Sequence, residues 1–122
     1  LQEEAKRQSR PVFFPLNFWY GAYLLVFAPD SPTLEQIIGG RAIEGFYQKL
    51  MAETLPSALV GVPEFEQMQR LYLDAIEGRR PLPQCGISAN ITSAMVVKQM
   101  IKWICGAEIR LAPEAILAEI RW

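Results

Sequence analysis

Histidine is absent from this chain of 122 residues, and cysteine occurs only twice, at Cys85 and Cys105. The first absence excludes Ser-His-Asp and Cys-His catalysis, together with the commonest zinc-ligand sets. The second excludes a disulfide framework and any paired Cys-x-x-Cys metal or redox motif, which points to a reducing, cytoplasmic compartment. There is no excess of basic charge: 12 Lys and Arg face 13 Asp and Glu, for a net charge of −1. No Lys/Arg cluster interleaves with aromatics, so a nucleic-acid partner is not expected. Neither a P-loop nor a G-x-G-x-x-G after a strand is present, and Gly39-Gly40 follows a helical stretch, so these residues alone build no nucleotide site.

The opening stretch LQEEAKRQSR is polar, without the apolar run of a signal peptide. It reads as the last turns of a helix over Leu1–Ser9, with Glu3 and Arg7 as an i,i+4 pair and Pro11 as its stop. Such a start resembles a domain entered part-way, and an amino-terminal part upstream is expected. The chain is accordingly read as a single partial domain over residues 1–122.

What is present is apolar substance: 51% of the residues are hydrophobic and 20% charged, enough to bury a core. Residues 11–28 (PVFFPLNFWYGAYLLVFA) are long and apolar enough to raise the possibility of a membrane helix. Pro11, Pro15, Asn17 and Gly21 interrupt them, and their Val, Phe, Tyr and Trp content suits pleated strands. Two strands, Val12–Leu16 and Ala22–Ala28, are expected, joined by Asn17–Gly21. Both lack strict alternation, as strands covered on two faces do. A membrane partner is not expected.

Ser31 and Pro32 open a short helix, Thr33–Ile38, that Gly39-Gly40 ends. Amphipathic helices follow at Ala42–Thr54 and Glu64–Glu77, separated by a loop over residues 56–63. Gly86–Cys105 carries apolar residues in nearly every direction and is expected to be a long, central, buried helix. Its early Ser88, Ala89, Ser93 and Ala94 allow close backbone approach, and Lys98 and Lys102 are expected to reach solvent together. Glu108–Leu111 and Ala115–Trp122 alternate polar and apolar, as half-exposed antiparallel strands.

Candidate chemistry is sparse. Cys85, in the PLPQCG loop ahead of the long helix, is the one candidate nucleophile, because a helix amino terminus favours the thiolate. The plainer reading is a small apolar residue at a junction. Cys105, at the opposite helix end beside Trp103 and Ile104, is expected to be structural. Glu64 and Glu66, and Asp74 and Glu77, belong to a solvated helix face.

The run PVFFPLNFWYGAYLLVFAPDSPTLEQIIGG resembles the ThiF/MoeB/HesA family of ubiquitin-like-protein-activating enzymes through Phe27-Ala28-Pro29, Ser31, Thr33, Leu34, Glu35 and Gly39. RLYLDAIEGR, CGISANITSAMVVKQMIKWICG and EIRLAPEAILAEIRW resemble the later helices and closing strands of that family, in the same order. The resemblance implies an α/β chain: the carboxyl-terminal part of a Rossmann-like activating-enzyme fold, a mixed sheet flanked by helices. It implies an adenylyltransferase using ATP and magnesium on a carboxylate, with the nucleotide held by an amino-terminal half. It also implies a small ubiquitin-like protein as acceptor, a homodimer, and Cys85 as the position of a possible catalytic cysteine. The family's Cys-x-x-Cys zinc pairs are missing, and Cys85 lies closer to the long helix than the family spacing. Two other readings stand beside this one: a non-catalytic interaction or scaffold domain of the same architecture, and a membrane-associated helical protein.

Overall fold

The computed structural model describes residues 2–18, 21–40, 50, 53–54, 67, 70–71, 74, 77–81 and 86–118. In chain order these form α1 (Gln2–Arg7), β1 (Val12–Phe18), β2 (Gly21–Phe27), α2 (Leu34–Ile38), α3 (Gly86–Ile104) and β3 (Ile116–Ala118). The result is a mixed α/β unit. Its three-stranded sheet has the order β1-β2-β3 and is antiparallel at both ladders. Of the expected helices at 42–54 and 64–77, only Leu50, Glu53, Thr54, Gln67, Arg70, Leu71, Asp74 and Glu77 lie among the described residues; all are helical except Glu77, which is in a turn. Residues 56–63, 82–85 and 119–122 lie outside them.

The central strand sets the architecture. Every residue of β2 is buried, as its unbroken apolar run requires. Successive side chains point to opposite faces. Tyr23, Leu25 and Phe27 therefore join Ile38, Leu50, Ala112 and Ala115 on one side. Ala22, Leu24 and Val26 join Met95 on the other, with Ile91, Val96, Ile109 and Ile116 packed around them.

The first strand departs from expectation in two respects. It runs to Phe18, where Phe18 pairs with Gly21, so only residues 19–20 separate the two strands. It is also an edge strand, half-buried rather than covered on both faces, with Pro15 exposed. Proline explains this position: lacking an N–H, it is tolerated where one side of the strand has no ladder to complete. Among the described residues no helix is long and apolar enough to cross a membrane.

Local capping corrects two further expectations. Thr33, not Ser31, caps α2: its side chain accepts from Gln36 N–H at 3.2 Å while Gln36 Oε1 accepts from Thr33 N–H at 2.7 Å. This reciprocal capping box needs a Gln or Glu three residues on, which Thr33 has and Ser31 lacks. Ser31 instead closes the preceding turn, its Oγ accepting from Ala28 N–H at 3.0 Å. Gly39 ends the helix at φ 68°, a left-handed conformation that suits glycine. Replacing Thr33 by Ala should cost about 1 kcal/mol in urea-unfolding free energy. In α1, Arg7 forks onto Glu4, at 2.6 and 3.0 Å, rather than onto Glu3. Lys6 Nζ donates to the Ser31 carbonyl, and Gln2 Oε1 accepts from Leu34 N–H at 3.0 Å, so α1 is docked against the start of α2.

The tail does not form its own strand pair. Residues 108–111 carry no strand; instead Ala112 N–H donates to the Val26 carbonyl at 2.8 Å and Ile116–Ala118 pairs with β2. The second edge of β2 carries unpaired backbone groups and buried apolar neighbours, and the tail satisfies both.

Candidate interaction surface

The long helix is where the structure departs furthest from a fully buried element. A narrow stripe faces the sheet: only Ser88, Thr92, Met95 and Gln99 are buried, at spacings of four, three and four. Helix geometry places such positions on one face. Ser88 Oγ donates to the Gly21 carbonyl at 2.5 Å, tying the first turn of the helix to the start of β2. Of the early small residues only Ser88 meets the sheet; Ala89, Ser93 and Ala94 are exposed, so the expected close approach holds at one position of the four.

The opposite face is apolar and open. Ile87 is 48% exposed, Val97 54%, Met100 43%, Ile101 56% and Ile104 78%. Ala94 is exposed on the same side. Large apolar side chains exposed singly are ordinary, but a contiguous row on one helix face is not. Lys98 is exposed beside this row, whereas Lys102 is half-buried, so the two lysines do not reach solvent equally. No acidic residue occurs between Gly86 and Ile104.

The candidate nucleophile, Cys85, lies outside the described residues. Cys105 is exposed rather than packed, one residue beyond α3, and its N–H donates to the Ile101 carbonyl at 2.9 Å. Among the described residues, no three His, Cys, Asp or Glu side chains approach one another as a metal site would require. Asp74 and Glu77 serve as ion-pair partners: Arg79 reaches Asp74 at 2.8 Å and also contacts Glu77, and Arg80 stands 3.6 Å from Asp74. These exposed pairs carry little energy and no acid–base geometry. Glu64 and Glu66 lie outside the described residues.

One buried polar chain stands on the other side of the sheet. Thr54 Oγ1 donates to the Leu50 carbonyl at 2.6 Å, so at the 2.6 Å contact with Tyr23 the phenol is the donor. Burial pushes the Tyr23 pKa up to about 12. The ionised form is thus disfavoured in the fold more than in the unfolded chain. The neutral phenol's contribution is complete below the unfolded value of about 10 and is lost as pH rises toward the folded value. Denaturation free energy should fall between about pH 10 and 12 by roughly 1.4 kcal/mol per pH unit. Tyr23→Phe should remove that component, measured as the difference between the two pH profiles.

Set beside protein-family models, curated proteins and solved structures, the chain matches none. The open row on α3 escapes a sequence reading that takes all-round apolarity as all-round burial. Its signal is the polar stripe Ser88, Thr92 and Gln99, which marks one apolar face as distinct from the one against the sheet.

Proposed function

We propose that this chain is a protein-interaction domain that docks through the outer face of α3. The observation that carries the reading is the row Val97, Met100, Ile101 and Ile104, apolar and between 43% and 78% exposed on a helix whose inner face already holds the sheet. Completing the burial of these four side chains and of Ile87 would contribute roughly 5 kcal/mol before the costs of association. The helix supplies a rigid, preformed surface, which lowers the ordering cost of docking. Val97→Asp with Ile101→Asp should abolish binding of an apolar fluorescent dye to the full chain at about 1 μM while the far-ultraviolet spectrum is unchanged. Undiminished dye binding by that variant would place the sticky surface elsewhere and end the proposal.

A second reading is favoured by the order of elements from Val12 to Gly39. Two strands, Pro29 and a short helix containing Glu35 and ending in Gly39 follow one another in the order that the resemblance to the ThiF/MoeB/HesA family supplies. In this reading the chain shapes the acceptor site and dimer interface of a Rossmann-like adenylyltransferase acting on a small ubiquitin-like protein. ATP and magnesium belong to an amino-terminal half, and Cys85 is the candidate nucleophile. The chain alone should then exchange no pyrophosphate with ATP, whereas a protein joining it to that half should. Exchange by the 122 residues themselves would contradict this division.

A further inference from the structure

We propose that the outer face of α3 pairs in parallel with the same face of a second copy of this chain. The proposal rests on the interaction reading and names its partner. Ile87, Asn90, Ala94, Val97, Ile101 and Ile104 follow one another at spacings of three, four, three, four and three. That is the 3.5-residue repeat of a helix meant to lie along another helix, where side chains of each insert between those of its partner. All six are exposed. The buried stripe of Ser88, Thr92, Met95 and Gln99 falls on the far side of the same helix, so the seam is free while the sheet stays attached.

Charge and polarity select the partner and its direction. With no acid on α3, and Lys98 the only exposed lysine on it, the seam calls for no oppositely charged partner. In a parallel pair Lys98 borders Ser93 of the second copy, which carries no like charge. Asn90 is the seam's single polar member. In parallel register it meets Asn90 of the second copy, where two amides can satisfy each other. An antiparallel pair would set it against Ile101 and leave an amide unpaired against hydrocarbon. A helix of 19 residues is about 28 Å long. One such pair buries less than a standard interface, so the dissociation constant should be micromolar, not nanomolar.

Sedimentation equilibrium of the full chain from about 1 to 200 μM should show monomers passing to dimers, and Val97→Asp with Ile101→Asp should leave monomers throughout. Direction is read separately. In a Cys85→Ser, Cys105→Ser background, Asn90→Cys and Ile104→Cys should each oxidise to a disulfide-linked dimer, because like positions adjoin only in a parallel pair. A native chain that is monomeric throughout, forms another stoichiometry, or dimerises unaffected by the two aspartates overturns the proposal. So does a dimer in which neither introduced cysteine cross-links. A monomeric native chain whose double variant still loses dye binding would remove the second copy alone and leave the interaction reading standing.

Discussion

Leu25→Ala should lower the unfolding free energy by about 2–5 kcal/mol. Leu25 is wholly buried in the middle of β2, and it packs with Tyr23, Phe27, Ile38 and Leu50 beneath the strand. Truncation loses the transfer energy of the removed carbons and leaves a cavity that the flanking strands cannot close without breaking ladders on both sides. A small domain commonly has only about 5–15 kcal/mol in total, so such a loss is a large share of the fold's stability. Leu24→Ala should cost a comparable amount through the opposite cluster, which contains Met95 and Ala22. The two losses belong to different faces of one strand. The double variant is therefore expected to have no cooperative unfolding transition, checked by urea titration followed by circular dichroism.

Met95→Asp is expected to have the second large effect. Met95 is the most central apolar residue of the helix stripe that faces the sheet, 7% exposed against Ala22, Leu24 and Val26. A carboxylate there would lie among the aliphatic side chains of Ala22, Leu24 and Val26, so it either stays neutral or forces the helix away. Loss of at least 3 kcal/mol is expected, and with it the docking of α3 on the strands. Because the neutral acid is tolerated better than the anion, the variant should be less unstable at pH 4 than at pH 8. Equal destabilisation at both pH values would show that volume, not charge, controls this site.

The parts of the fold that could be read from the sequence are those where one physical rule acts alone. The unbroken run from Ala22 to Phe27 announces a strand covered twice, and it is one. The Pro29–Pro32 turn and the glycine stop at Gly39 hold because both are fixed by backbone conformation. The cap itself was less legible: Ser31 and Thr33 have equal hydroxyls, and only the reach of Gln36 decides between them. The lack of strict alternation in β1 suggests burial on both faces, yet Pro15, exposed in the structure, fits an edge. The tail's partner depends on which edge of β2 is free, a tertiary fact that alternation in residues 108–122 cannot supply.

The helix surface was harder for the same reason. A sequence shows that Val97, Ile101 and Ile104 are apolar; it does not show which faces the sheet occupies. Once Ser88 is tied to Gly21 and Met95 is set among Ala22, Leu24 and Val26, the rotation of α3 is fixed and its apolar outer row follows. The candidate cysteine was legible only as a spacing before Gly86.

The account turns on the outer face of α3 being a surface for a partner and not part of this chain's own core. The unfolding free energy of Val97→Asp with Ile101→Asp, compared with the native chain at about 1 μM so that association contributes little, tests this most directly. A change within about 0.5 kcal/mol per substitution is expected, as for surface positions. A loss of several kcal/mol, of the size expected for Met95→Asp, would show that these residues hold the fold together and would contradict the account.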